Sequence, residues 1–224
     1  MIFQNEREDL EVFSFIFGLC FGSFINVLIL RLPLNESILT RSQCPNCKHT
    51  ILWYHNIPLF SYLYLRAKCS YCGVKIPFQY FLVELLSGIV TLALFLKLGL
   101  TQEFIFMCLL SYVLITLSFI DLKYKAVPDY LLLIVFILSL IASNFPIIES
   151  FKNAFLFSGA FVLLNFVITF YIQNIKSKIL KDESLKTQEA LGVGDIPIIA
   201  LIGIILGLSG GLVAIFLAAF FAII

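Results

Sequence analysis

The chain is 224 residues long, 61% hydrophobic and only 13% charged, with a formal net charge of +1. So apolar a composition excludes an ordinary soluble domain, whose apolar share lies near one half. The sequence has no repeat, no low-complexity tract and no basic stripe of the kind that binds nucleic acid.

Apolar runs of roughly 17 to 25 residues are long enough to cross the hydrocarbon core of a bilayer. In chain order they fall at about 12–32, 78–97, 104–120, 128–143, 153–172, 194–207 and 211–224. The fourth and the last two are short and must tilt, borrow flanking residues or pack inside the bundle. The pattern predicts an all-α polytopic membrane protein, a bundle of about seven transmembrane helices with a small cytoplasmic zinc-binding loop domain. Its expected organisation is an N-terminal segment and first span (1–32), a loop domain (33–77) and a second membrane domain (78–224). The start, "MIFQNEREDLEV", is acidic and polar, so no cleavable signal peptide is expected and the first span is retained.

Orientation follows from the distribution of Lys and Arg. With the amino terminus outside, Arg31, Arg41, Lys48, Arg66, Lys68, Lys75, Lys123, Lys125, Lys176, Lys178, Lys181 and Lys186 fall in the cytoplasm, against Arg7, Lys97 and Lys152 outside. The loops 33–77, 121–127 and 173–193 are then cytoplasmic.

The first of these loops contains "SQCPNCKHTILWYHNIPLFSYLYLRAKCSYCGVKIP", in which Cys44 and Cys47 are set against Cys69 and Cys72 as two C-x-x-C knuckles 21 residues apart. Each short turn aims two sulfurs at one point, the arrangement of tetrahedral thiolate coordination of zinc. Disulfides are the alternative, but a cytoplasmic loop is reducing and favours the metal. Four sulfurs leave no open position for water, so such an ion is structural. His49 and His55 are read as ordinary polar residues, and Cys20 and Cys108, within spans, as small buried apolar ones.

Ionisable groups within spans are functional candidates by default. Four stand out: Glu84, Asp121, Asp129 and Asp195. Asp129 follows Pro128 at a helix start, where a carboxylate meets the helix dipole favourably. Glu84 is read as equally suited to pairing with a polar neighbour. Asp121 closes the third span and Asp195 opens the sixth, both on the expected cytoplasmic face. Two carboxylates so placed can share a proton as an aspartic protease dyad does, one activating water and one protonating the leaving group. Asp195, at a helix start, is the expected base and Asp121, at a helix end, the expected acid. Gly192 and Gly194 of "GVGD" let the backbone bend beside it. Two other readings stay open: a non-catalytic membrane assembly factor, with the acids serving helix packing, and a transporter that uses them as a proton relay.

"FGSFINVLILRLP" (21–33), the paired C-x-x-C knuckles, "IDLKYKAVPD" (120–129) and "GVGD" (192–195) stand in the order of the bacterial type IV prepilin peptidases, G-x-G-D membrane aspartic proteases, and the chain resembles that family over nearly its whole length. The resemblance implies that Asp121 and Asp195 are the catalytic pair and that Cys44, Cys47, Cys69 and Cys72 hold zinc. It implies an inner-membrane enzyme that cleaves the basic leader of membrane-anchored prepilins or pseudopilins on the cytoplasmic side. It also implies N-methylation of the new amino terminus with S-adenosylmethionine, for which no glycine-rich fingerprint of a soluble methyltransferase is present. "FGSFINVLILR" has a packing reading as well, in which Gly18, Gly22 and Ser23 allow close helix approach and Asn26 bonds a neighbouring helix. Two features depart from the family pattern. Pro197 stands where a lysine is common, and the pattern usually continues into one more span. Neither the particular substrate nor the oligomeric state is legible in the sequence.

Overall fold

A computed structural model of the chain describes residues 2–180, 183, 184, 192 and 194–223, without the side chains of 2–7, 180, 222 and 223. Lys181, Lys186, Val193 and Ile224, expected in a loop or a span, lie outside the described residues, as does the side chain of Arg7. The described residues are almost entirely helical, with two isolated β-bridges and no strand among them. They group into two compact units, Met1–Leu131 and Leu132–Ile224.

The first unit begins with α1 (Ile2–Arg31), which starts well before the expected apolar run and so carries the acidic head of the chain in helix. A 3₁₀ turn (Leu32–Leu34) leads into the cysteine-bearing loop. That loop contains a second 3₁₀ turn (Trp53–Asn56) and a short helix α2 (Phe60–Tyr64). Pro77 then precedes α3 (Phe78–Leu98), which ends at Gly99 with φ 63°. Thr101 caps α4 (Gln102–Tyr124), its hydroxyl accepting the Phe104 amide at 3.1 Å.

In hydrocarbon, helices associate through close packing and polar contacts, because lipid tails are as apolar as leucine. The contact between α1 and α3 is built that way. A Cβ added at Gly18 would sit 2.7 Å from the Ser87 carbonyl and against the Thr91 side chain; one at Gly22 would sit 2.6 Å from the Glu84 Cα. Opposite them, Gly88 of α3 receives Leu19 and Phe15. Asn26 donates to the Tyr80 carbonyl at 3.0 Å, the interhelical bond expected of it. α4 joins through Tyr112, whose hydroxyl lies 2.6 Å from Thr91 Oγ1 and whose ring stacks on Phe21 at 5.1 Å. Cys108 is buried as expected. Cys20 is exposed, because it lies off the α1 stripe that faces α3.

The second unit consists of most of α5 (Asp129–Ala142), α6 (Ile147–Tyr171) with a π turn (Ile172–Lys176) and α7 (Ser177–Leu180), and α8 (Asp195–Ile223). Ala154, Ala200 and Ile204 form its buried centre, with Phe136, Leu140 and Ile205 packed around them. The last two expected spans form one helical element, broken at Gly207 with φ 65° and ψ −169°. Phe157 of α6 reaches both sides of the break, against Gly203 and Gly211, and Ser143 donates to the Ile204 carbonyl at 3.0 Å. Among the described residues, five helices are long and apolar enough to span a membrane, and α5 is a shorter apolar helix.

The helix contacts make a direct prediction. Gly22→Val drives a side chain into the α3 backbone, where no rotamer change relieves it, and is expected to destabilise by about 1–3 kcal/mol or more. Gly159→Ala on α6 meets nothing within 4 Å and is expected to be neutral or slightly stabilising. Thermal unfolding of the detergent-purified chain distinguishes the two.

Candidate functional site

The two cysteine knuckles share one backbone design, repeated 25 positions apart. In the first, the Cys44 amide donates to the His49 carbonyl, Lys48 to Cys44 and Ile51 to Ser42; in the second, Cys69 donates to Val74, Gly73 to Cys69 and Ile76 to Ala67, all at 2.8–3.0 Å. Each pair of arms closes in a single bridge, Gln43 with Thr50 and Lys68 with Lys75. Each turn needs a left-handed residue at its fourth step after the first cysteine: Lys48 with φ 57° and Gly73 with φ 70°. The amino-acid pattern shows this duplication only through the C-x-x-C spacing.

Folded this way, the four sulfurs converge. All lie within 4.8 Å of one another, the arrangement that holds a metal ion, and Cys44 Sγ is 3.8 Å from Cys72 Sγ. All four are free thiols, and that spacing is far beyond the roughly 2.05 Å of a disulfide. The turns also prepare the sulfurs electrostatically. The Cys47 backbone amide, followed by that of Asn46, holds the Cys44 thiol below its usual range against the opposing effect of burial. The Val74 amide and the Asn46 side chain bring Cys72 down to about 6. At Cys47 the His49 amide favours the thiolate, but desolvation and hydrogen bonds from its S–H to neighbouring sulfurs outweigh it and push the thiol up to about 11. A cation bound among the four sulfurs would displace whatever thiol protons they hold. Both histidines stay outside the sulfur cage. His49 packs against Tyr71 with the rings tilted by 38° and their centroids 3.7 Å apart, and His55 Nδ1 lies 3.2 Å from Ser70 Oγ.

Three side chains fix this domain to the helices; of these the sequence marked Glu84 as suited to pairing with a polar neighbour, and gave no such sign for Arg31 and Tyr62. Arg31, at the carboxyl end of α1, donates to the carbonyls of Ser37 (2.9 Å), Thr40 (2.7 Å) and Arg41 (3.2 Å). Glu84 on α3 accepts the Leu59 amide at 2.8 Å and the Ser23 hydroxyl. Glu84 is therefore a tie between the loop and the spans. Tyr62 packs its ring on Phe81 at 5.4 Å. Beside this tie lies a cavity of about 150 Å³, with Tyr62, Tyr80, His55 and Glu84 among its walls.

Asp121 belongs to the first unit and Asp195 to the second. Asp121 sits in the last turn of α4, exposed, and its main-chain carbonyl accepts the Lys125 amide at 2.8 Å where Lys125 turns left-handed to end the helix. Its side chain makes no hydrogen bond or ion pair with another described residue. Lys123 is directed elsewhere, with its ammonium 5.0 Å from the Tyr124 ring centroid. Asp195 is the first residue of α8, also exposed, and its amide donates to the Gly192 carbonyl at 3.2 Å. Pro197 falls in the first turn of α8, where amides have no intrahelical acceptor, so it removes no backbone bond. Asp129 opens α5, in the helix-start position expected of it.

Comparison with known proteins covers both parts. Residues 16–98 match the family described as Bacterial Peptidase A24 N-terminal domain, and residues 108–224 match the Type IV leader peptidase family. The chain is 41% identical over 194 residues to a prepilin leader peptidase/N-methyltransferase of Myxococcus xanthus, a match covering 86% of this chain and 55% of that protein. It is 31% identical to proteins of the same name from Pseudomonas aeruginosa (85% of this chain, 70% of that one) and Vibrio cholerae (89% and 78%). No solved structure matches.

The duplicated turn can be tested at its two left-handed positions. Lys48→Gly is expected to stabilise the cysteine domain and Gly73→Ala to destabilise it, each by about 1 kcal/mol. Opposite changes in the half-time of metal release to a chromogenic chelator would show this.

Proposed function

The chain belongs to the type IV leader peptidase family, a family of membrane endopeptidases, and we propose that it removes the leader of prepilins or prepilin-like proteins with Asp121 and Asp195 as its catalytic carboxylates. The observation that carries the reading is that both carboxylates lie in the segment matched to the Type IV leader peptidase family, 108–224, and each stands exposed at the end of an apolar helix with no side-chain partner among the described residues. Asp195, at an α8 start with free amides, takes a proton from water as the water oxygen bonds to the scissile carbonyl carbon. Asp121 gives its proton to the leaving amide nitrogen, the C–N bond breaks, and proton exchange between the two carboxylates restores the starting state. The products are a leader carboxylate and a free amino terminus. A substrate whose own apolar helix stays in the bilayer reaches the site already confined to two dimensions, which reduces the entropy lost on alignment. The excess of Lys and Arg on one set of loops supports a cytoplasmic site in the inner membrane.

The metal fits as zinc. Bonds of about 2.3 Å in a tetrahedral site set the sulfurs about 3.8 Å apart, the Cys44–Cys72 spacing. With four thiolates the ion has no open position, so it would hold residues 33–77 together without touching the reacting bond. The names of the relatives support a second activity, methylation of the new amino terminus, in which bound S-adenosylmethionine would supply the methyl group. The cavity beside Glu84 has room for one aromatic ring system such as the donor's base, with Tyr80 and Tyr62 to flank it.

Cleavage of a prepilin-like substrate in membranes containing the wild-type chain, Asp121→Asn or Asp195→Asn tests the dyad. Each substitution is expected to lower the rate by about a hundredfold or more. Cleavage that survives both would sink the dyad. A wild-type chain inert on a well-matched substrate would favour the non-catalytic assembly factor. For the metal, elemental analysis is expected to give one zinc per chain, largely lost in Cys72→Ser.

A further inference from the structure

The segment joining the two knuckles, residues 53–64, faces outward with aromatic and aliphatic side chains. Trp53 is 74% exposed, Phe60 62%, Leu63 66% and Tyr64 72%, with Tyr54 beside them. α2 is two-sided. Ser61 is buried and donates to the Ile57 carbonyl, and Tyr62 packs inward on Phe81, while Phe60 and Tyr64 lie ring over ring at 6.0 Å on the open side. So large an apolar patch is unusual on a surface that meets water.

Two observations identify what covers it. The first is depth. The Leu59 amide is held by Glu84, six residues inside α3, and a helix rises about 1.5 Å per residue, so the Glu84 Cα lies about 9 Å along the span from its start at Phe78 and its side chain leans back toward that start. A segment tied at that level stands beside the end of a membrane helix. The second is charge. Residues 37–83 contain no Asp or Glu but five cations, Arg41, Lys48, Arg66, Lys68 and Lys75, and the five still outnumber the two net negative charges of a zinc tetrathiolate. A Trp- and Tyr-bearing apolar face within a cationic stretch that has no acid between positions 37 and 83 is the composition of a segment lying in the headgroup region of an anionic bilayer.

We propose that residues 53–64 form an interfacial anchor: their aromatic face is covered by the lipid of the bilayer that α1 and α3 cross, and the surrounding Lys and Arg meet anionic headgroups. The anchor sets the height and tilt of the cysteine domain over the membrane. It is independent of the peptidase reading.

Trp53 is the chain's one tryptophan, so the native protein carries its own reporter and needs no substitution. The full chain is reconstituted in phosphatidylcholine–phosphatidylglycerol vesicles, with iodide equilibrated across the membrane. Iodide quenching of Trp53 is expected to be at least about fivefold weaker than in the denatured chain, with stronger quenching by lipids brominated near the headgroup than near the chain ends. Replacing phosphatidylglycerol by phosphatidylcholine is expected to raise iodide access; no change would overturn the anionic-headgroup assignment. Full iodide access with no bromolipid quenching would overturn the anchor. Shielding that arises only when a prepilin-like substrate is added would replace it with a protein-docking surface.

Discussion

The close approach of α1 and α3 is the contact on which the rest of the first unit depends. These helices carry the two ends of the cysteine loop, and nothing in hydrocarbon drives them together except the fit of one surface on the other. Gly18 and Gly22 remove the side chains that would hold the backbones apart, and Ser87, Gly88 and Thr91 fill the space from the other side. Asn26 and Glu84 then use the short interhelical distance for polar contacts, one to Tyr80 and one across to Leu59. The loop's register over the membrane is therefore set by small residues more than ten positions away from it in sequence.

Much of this was legible in the amino-acid order, for a physical reason. Whether a segment crosses a bilayer depends on its own composition over roughly twenty residues, so the spans at 78–97 and 104–120 appear within a few residues of α3 and α4. Metal knuckles are equally local, because two sulfurs three residues apart must converge when the turn closes. The remainder depends on partners distant in sequence. Nothing near Glu84 reveals that it accepts an amide from residue 59, and nothing in "FGSFINVLILR" says that Arg31 will hold three carbonyls of the loop beyond it. The break at Gly207, where a loop between two spans was expected, sits among contacts from other parts of the second unit: Phe145 at Gly207, Phe157 at Gly203 and Gly211, and Ser143 at the Ile204 carbonyl.

The aspartates were legible for a different reason. A carboxylate at the edge of an apolar run must have a purpose or a partner, and at Asp121 and Asp195 the described structure supplies no partner. Glu84 shows the other outcome of the same rule, since it is occupied by Leu59 and Ser23. Asp129, exposed at the start of α5, has no side-chain partner among the described residues either and meets the helix dipole as Asp195 does, so pairing separates Glu84 alone from the proposed catalytic carboxylates. Pro197 is compatible with Asp121 and Asp195 as a pair, since it lies in the first turn of α8, whose amides have no intrahelical acceptor.

The charge of the cysteine domain bears on how a substrate would approach. A leader rich in Lys and Arg is not drawn toward a surface that carries five cations and no acid between positions 37 and 83; like charges there would raise the free energy of contact. The domain is therefore poorly suited to be the leader's receptor and well suited to lie against anionic lipid. If it is held flat by Trp53, Phe60 and Tyr64, its positive face is directed to the headgroups and withdrawn from the water through which the leader moves. On the proposed mechanism Asp121 holds the proton, so the charge that would attract a basic leader is that of Asp195, which would then contribute to substrate encounter as well as to the chemical step.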